Sequence, residues 1–267
     1  MVATLLKPPL DELVLSASDA LAFVDSATGE AVTTGLVCSL VLRRDGSVLG
    51  RSRGTPSGVH HWPELSDRWR QPTPPVLADV FVRDALERFQ PLSLPWPLPT
   101  AITGQIIAST VFGAARLLRV SLLSAPGRPA PPGLASVYGL LTWQLSGAAV
   151  AWARVSFVDG AGRAYDGASD AQGRLALHLP RSRPDKAGSP PEPAAQLHVF
   201  ASPALAGASV PDVPDVLAFA AQPEVLALAN ATANDDAYLP VLVPGEPLVL
   251  ASIGPPPTPR ELRLKPL

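Results

Sequence analysis

Residues 151–180 alternate between strand-like and turn-like sequence, and this pattern leaves little room for helix. Apolar side chains recur at every second position on either side of two Asp-x-x-Gly turns, at Val155, Phe157, Leu175, Leu177 and Leu179. A period of two is typical of half-buried β-strands, and Asp and Gly favour the tight turns between antiparallel neighbours. The stretch therefore predicts a small antiparallel β-sandwich, and it contains no catalytic constellation.

The proline content favours the same class of fold. The chain has 32 prolines among 267 residues, more than twice the usual share of about 5%. Proline interrupts helix interiors and central strands, so short strands joined by many loops accommodate it best. Hydrophobic residues make up 47% of the chain, which is enough to build a core and argues against disorder. Composition thus predicts an all-β protein.

Two β-rich blocks are predicted, and we interpret them as two Ig-like or transthyretin-like antiparallel β-sandwich domains with proline-rich loops. They occupy residues 1–99 and 117–267, with a connecting segment at 100–116 and a flexible loop at 181–193. Further strands are predicted at 12–16, 20–24, 35–43, 48–51, 59–62, 76–82, 117–123, 136–143, 196–200, 216–219, 238–243 and 247–252. Residues 92–99 predict an extended edge segment, and residues 82–89 fit either two turns of helix or a strand.

Charge and hydropathy bear on the partners and the compartment. A net charge of −2 gives no electrostatic footprint for nucleic acid or for an anionic membrane. No run of about 18 apolar residues is present to span a membrane. The first residues lack the basic and apolar regions of a signal peptide. We therefore expect a soluble protein made in the cytoplasm.

The second block carries a family resemblance. The positions that carry it are Ala153, Val155, Asp159, Gly162, Asp170, Gly173, Leu175, Leu177 and Pro180. This pattern resembles a carboxypeptidase-regulatory-like domain, and the resemblance implies a transthyretin-like β-sandwich that serves as a structural or binding module without catalytic residues. Residues 24–32 and 55–65 are similar, more loosely, to Ig-like modules.

A cytosolic chain of two such modules resembles the accessory proteins of phage tails and of phage-tail-like contractile injection systems. The resemblance implies a non-enzymatic structural or adaptor protein of a larger multiprotein assembly, as a baseplate, spike or decoration component. Its partners would be other protein subunits. The alternative function is a carbohydrate- or ligand-binding β-sandwich module.

Residue types that could carry catalysis do not form a recognisable set. Cys38 lies in an apolar run, and the sequence around it offers neither a neighbouring His nor an electropositive setting, so we expect a buried and inert thiol. No Gly-x-Ser-x-Gly motif and no phosphate-binding glycine loop is present. We therefore predict no catalytic residue and no cofactor, and we do not expect an enzyme.

Two clusters could suggest metal binding. His60 and His61 precede Glu64 and Asp67, but adjacent residues on a strand point to opposite faces and cannot easily share an ion. Asp159, Asp166 and Asp170 lack the spacing and closing Glu of a calcium loop, and turn formation explains them. We therefore predict no metal site.

The candidate interface consists of Trp62, Arg68, Trp69 and Arg70, because Trp and Arg dominate the energetics of protein interfaces. In the structural alternative, Trp62 and Trp96 cap the core and only Trp69 is exposed. An aromatic platform of this kind would also suit a carbohydrate.

Overall fold

The computed structural model describes residues 20–63, 65, 76–96, 98, 109–112, 115–180, 195–203, 213, 215–230, 236–240, 247–253 and 261–267. Within these ranges the chain is predominantly β, in three sheets with one short helix. The predicted strand at 12–16 and the loop at 181–193 lie outside the described residues.

The first strands are β1 (Ala20–Asp25), β2 (Leu36–Leu42), β3 (Val48–Arg51), β4 (Arg53–Gly54), β5 (Val59–His61), β6 (Ala78–Asp84), β7 (Leu92–Pro95), β8 (Ser109–Phe112) and β9 (Ala115–Leu122). The later elements are β10 (Leu134–Trp143), β11 (Arg154–Val158), β12 (Ala164–Ala168), β13 (Arg174–Pro180), β14 (Gln196–Phe200), α1 (Val216–Ala220), β15 (Glu224–Ala227), β16 (Leu248–Leu250) and β17 (Leu262–Pro266).

The first hydrophobic core draws on two sheets, with strand orders β4-β5-β1-β9-β8 and β3-β2-β6-β7. Buried positions alternate along β1 and β2, so that Leu21 and Phe23 from one sheet share a cluster with Leu40 and Leu42 from the other. Strand β7 lies at the edge of its sheet, where a strand that ends in proline is tolerated.

The second core is built on a larger sheet with the order β12-β11-β14-β15-β17-β10-β13, and β16 also pairs with β10. Strand β10 changes partner along its length, because residues 134–140 pair with β13 and residues 141–143 pair with β17. Val137 and Leu141 of β10 pack there with Phe157 and Leu177. Strand β10 thus links β13 to the part of the sheet that contains β17.

In each core, one strand pairs in parallel with another strand that comes much later in the chain. Strand β1 pairs in parallel with β9, and β10 pairs in parallel with β17. Strand β9 overlaps the predicted start of the second domain, but its Leu118, Val120 and Leu122 pack in the first core. The connecting segment at 100–116 includes β8, which pairs with β9.

Two sequence-based assignments in the second block need correction. The strand predicted at 216–219 is helix α1, because the Asp215 carboxylate accepts hydrogen bonds from the backbone N–H groups of Leu217 (2.8 Å) and Ala218 (3.3 Å). Strand β15 was not predicted at all. Residues 238–240 of the predicted strand at 238–243 have no strand structure, and the rest lie outside the described residues.

Residues 82–89 combine a strand with a turn that recurs elsewhere in the chain. Strand β6 ends at Asp84, whose carboxylate accepts hydrogen bonds from the N–H of Arg88 (2.8 Å) and from its Nε (2.8 Å). Asp159 with Arg163, and Asp170 with Arg174, repeat this arrangement at 2.7–2.9 Å. The three segments therefore share an Asp-x-x-x-Arg turn.

The residue before the arginine has a positive φ in all three turns. It is Gly162 (φ 77°) and Gly173 (φ 76°) in two of them, but Glu87 (φ 54°) in the third. A left-handed backbone conformation costs a residue with a Cβ about 1–2 kcal/mol. The turn at 84–88 therefore carries backbone strain that the other two avoid.

We expect Glu87→Gly to raise the free energy of unfolding by about 0.5–1 kcal/mol, since the relief of strain exceeds the entropy that glycine adds to the unfolded chain. Urea denaturation followed by tryptophan fluorescence measures the change. The matched control is Ala85→Gly in the same turn, where φ is not positive and where we expect a loss. Equal losses from both substitutions would contradict the assignment of strain to Glu87.

Candidate functional site: the polar joint between the two cores

Cys38 has a histidine neighbour that the sequence did not reveal. The His60 Nδ1 atom lies 3.6 Å from the Cys38 Sγ atom and 2.9 Å from the Ser52 hydroxyl, and the ring packs edge-on against Phe23. Burial raises the pKa of Cys38 to about 12 and lowers the pKa of His60. Both groups are therefore neutral near pH 7, and the thiol is buried as predicted but lacks nucleophilic character.

The histidine pair divides between the two faces of β5. His60 is buried in the first core, whereas His61 is only half-buried, as the alternation of a strand requires. Glu64 and Asp67 lie outside the described residues. Within the ranges that the structure describes, no three His, Cys, Asp or Glu side chains form a group that could hold a metal ion.

The aspartates of the second block serve the turns in which they lie. Asp159 and Asp170 accept hydrogen bonds from the N–H groups of their own turns and pair with Arg163 and Arg174. The two turns flank opposite ends of β12, and Asp166 lies on that strand between them. This arrangement favours the turn interpretation over a calcium loop.

Trp62, the first residue of the predicted interface, is buried in the structure. Trp62 is only 5% exposed and lies in the first core, with its ring centroid 5.9 Å from that of Trp96, which is 3% exposed. Alternation along β5 explains this position, since Trp62 falls on the same side as His60. Arg68, Trp69 and Arg70 lie outside the described residues, so they stay a prediction.

An ion pair with both side chains buried lies where the chain leaves the first core. Asp25, the last residue of β1, accepts a two-point hydrogen bond from the Arg128 guanidinium, whose Nη1 lies 2.9 Å from Oδ1. The two side chains are 8% and 9% exposed. Arg128 also donates to the Ser124 hydroxyl (3.0 Å) and lies 4.7 Å above the ring of Phe89. We call the group formed by Asp25, Arg128, Ser124, Phe89 and His178 the polar joint.

Strand β13 of the larger sheet contributes His178, on the face opposite to Leu177 and Leu179 of the second core. His178 is 3% exposed on β13, with its Nδ1 atom 3.1 Å from the Ser136 hydroxyl and no partner for Nε2 in the described part of the chain. Burial lowers the pKa of His178, the Arg128 charge lowers it further, and Asp25 partly opposes them. The charges of Arg128 and Asp25 thus act on a buried histidine of the larger sheet, and its imidazole is neutral near pH 7.

The ion pair also determines the charge state of Asp25. Burial alone raises the pKa of this carboxyl, but the hydrogen bonds from Arg128 and Ala27, together with the guanidinium charge, outweigh burial and hold the pKa below its usual value. The aspartate therefore stays ionised throughout the neutral range, and the joint keeps its opposite charges.

Further contacts join the second block to the first. The side-chain amide of Gln90 donates to the Ala168 carbonyl oxygen at 3.4 Å. Asp215, the N-cap of α1, forms a bridge with Ser93 of β7, and its carboxylate lies 3.5 Å from Arg43. Val216 packs against the first core. The two cores are thus in contact at Gln90 and along α1.

The buried histidines predict a loss of stability in mild acid. The unfolded chain binds protons near the ordinary histidine pKa of about 6.5, but burial lowers the pKa of His60 and His178 in the folded chain. Stability is therefore full above about pH 6.5 and declines as the pH falls below it. We expect urea midpoints to decrease between pH 7.5 and 5.0, where carboxylates scarcely titrate.

The variant His178→Gln should weaken this pH dependence because it removes one of the two groups. The control His198→Gln alters a histidine that is 39% exposed and pairs with Glu224, and it should leave the acid-induced loss in place. A His178→Gln protein with an unchanged slope of midpoint against pH would contradict the role given to His178.

The comparisons with known proteins give no family. No protein-family model and no curated protein matches the chain. Among solved structures, the Bacillus anthracis TIE protein matches with 8% identity and a TM-score of 0.26, over 92% of this chain and 34% of that one. The chain thus spans about a third of the TIE chain.

The C-terminal fragment of the pilus adhesin SpaC from Lactobacillus rhamnosus GG matches with 12% identity and a TM-score of 0.23, over 93% of this chain and 96% of that one. At such TM-scores neither likeness carries an argument. The fold defines a predominantly β protein with two hydrophobic cores among the described residues. No helix among the described residues is long and apolar enough to cross a membrane.

Proposed function

We propose that this chain is a non-enzymatic structural adaptor of a larger multiprotein assembly. Two β-sandwich modules, Ig-like and transthyretin-like in kind, would be held in one fixed relative orientation and would dock other subunits on their outer surfaces. A phage-tail-like contractile injection particle is the assembly we favour, with the chain as a baseplate, spike or decoration component. The observation that carries the proposal is the polar joint around Arg128.

A buried ion pair suits a part that must keep its geometry. Removing two charges from water is costly, so such a pair contributes little net stability, but its hydrogen bonds are directional and impose one arrangement. Asp25 and Arg128 satisfy each other at two points, and Arg128 also uses Ser124 and Phe89. An adaptor that fixes the relative position of other subunits needs a connection that allows one arrangement only.

The outer face of the four-stranded sheet is the docking surface that we favour. Val37 is 43% exposed and Val48 is 62% exposed. Both lie opposite the buried side of β2, since Val37 precedes buried Cys38 and Val48 pairs with Val41. Strand β3 is also a sheet edge, where a partner strand can add. These exposed apolar side chains would become buried on assembly.

Sedimentation of the full chain, tagged and extracted from its native host, tests the proposal. We expect most of the wild-type chain in a large particle with a fixed ratio of other subunits, and we expect Val48→Glu to release it as a small species. The control Leu145→Glu changes a turn residue that is 95% exposed and should stay in the particle. A wild-type chain that sediments as a free monomer would refute the adaptor function.

A further inference from the structure

An apolar cleft lies where the two cores meet, and Gln90 and Leu123 are part of its lining. Its volume is about 320 Å³, close to the lower end of the range of about 300–1,000 Å³ typical of small-molecule sites. Apolar residues of the first core line one side, namely Leu92, Leu94, Leu118 and Val120, and the second block supplies Trp152, Val216 and Phe219. The cleft is therefore a site that both blocks build.

Trp152 is held in this wall in a strained conformation. Its φ of 58° is unusual for a bulky residue, and its side chain is 7% exposed. The backbone carbonyl accepts a hydrogen bond from the buried Gln222 amide (2.8 Å), and its N–H donates to the Asp170 carbonyl oxygen (3.3 Å). Such strain persists only where the surroundings impose it, and it concentrates at functional sites. The indole is thus positioned before any ligand arrives.

The charged groups that line the cleft are mainly cationic. Arg119 and Arg154 face one carboxylate, that of Asp166, among the described lining residues. The Arg154 guanidinium carbon lies 3.9 Å from the centroid of the Phe200 ring, and its buried Nε has no hydrogen-bond partner. Neither arginine forms an ion pair within the described ranges. The cleft therefore offers apolar walls and two guanidinium groups that have no ion-pair partner among the described residues.

We propose that the cleft binds a small amphipathic carboxylate, with its apolar part between Leu94, Val120 and Trp152 and its carboxylate at Arg154 and Arg119. Two guanidinium groups against one carboxylate give the cleft a net positive charge, which favours an anionic head group over a neutral or cationic one. The volume fits a short alkyl chain rather than a long lipid. This site goes beyond the adaptor function and does not depend on it.

Calorimetric titration of the full chain with three probes of equal tail length tests the proposal, namely octanoate, octan-1-ol and octyltrimethylammonium. We expect one octanoate per chain, bound at least tenfold more tightly than octan-1-ol, with octyltrimethylammonium weakest. Equal affinity for octanoate and octan-1-ol would overturn the proposal, because the arginines would then contribute nothing. Binding of many octanoate molecules per chain, or tightest binding of the cation, would overturn it as well.

Substitutions locate the site. Arg154→Gln should lower the affinity for octanoate at least fivefold and leave that for octan-1-ol unchanged, and the exposed Arg119→Gln should lower it about twofold to threefold. The control Arg163→Gln alters an arginine that is 67% exposed in the turn after β11 and should change neither affinity. If Arg154→Gln does not fold, the octanoate affinity of Arg119→Gln alone tests the proposal. Octanoate affinities of these variants equal to that of Arg163→Gln would place the binding elsewhere.

Discussion

Replacing Arg128 with methionine is expected to lower the free energy of unfolding by about 3–5 kcal/mol, the cost of leaving one partner of a buried ion pair alone. Asp25 would then lie 8% exposed without its counter-ion, and the contacts with Ser124 and Phe89 would be lost as well. Because Arg128 anchors to the first core the segment that leads from β9 to β10 of the second core, we also expect the wild-type chain to unfold in one thermal transition and the variant in two.

Two variants show whether the loss comes from the uncompensated charge. In Asp25→Leu/Arg128→Met both charges are gone, and most of the lost stability should return. Arg174→Met breaks the pair with Asp170, where the arginine is 63% exposed, and should cost less than about 1 kcal/mol. Differential scanning calorimetry measures all three. Similar losses for Arg128→Met and Arg174→Met would contradict the importance of the joint.

The second large effect is expected at Gly173. A Cβ atom there would lie 2.5 Å from the Leu141 carbonyl oxygen and 3.2 Å from the Val150 backbone nitrogen. The backbone also has a φ of 76°, which adds about 1–2 kcal/mol of strain for any residue with a Cβ. Overpacking against backbone adds about 1–3 kcal/mol. We therefore expect Gly173→Ala to cost about 2–5 kcal/mol or to prevent folding.

Gly162→Ala is the matched control for that substitution. Gly162 occupies the same position of the same kind of turn with a φ of 77°, but a Cβ there meets nothing within 4 Å. Only the conformational cost of about 1–2 kcal/mol should remain. Urea denaturation of the two proteins gives the comparison. Equal losses would mean that the contact with Leu141 is relieved by a small shift of the turn.

Local sequence predicted the parts of the fold that depend on local chemistry. The Asp-x-x-Gly turns at 159–162 and 170–173 and the strands around them lie where alternation and turn residues place them. Helix α1 was missed because its sequence is apolar and short, so that a single N-cap, Asp215, decides between helix and strand. Strand β15 contains only four residues, and three of them are consecutive apolar residues, so its sequence does not show the alternation that its burial has.

The polar joint could not be read from sequence because its members are far apart in the chain. Asp25 and Arg128 are separated by 103 positions, and each by itself fits a loop or a turn. Cys38 and His60 are likewise 22 positions apart. Only the parallel pairing of β1 with β9 brings the end of β1 close to the segment that follows β9. Long-range pairing, not local propensity, therefore determines the candidate site.

The distance between two spin labels, one beside each hydrophobic core, tests most directly whether the two cores keep a fixed relative orientation. Leu86→Cys and Leu145→Cys place labels at residues that are 59% and 95% exposed, while buried Cys38, with a pKa of about 12, should stay unlabelled. Pulsed dipolar spectroscopy should give one narrow distance distribution for the otherwise wild-type chain and a broad one when Arg128→Met is added. A broad distribution that Arg128→Met leaves unchanged would contradict the account.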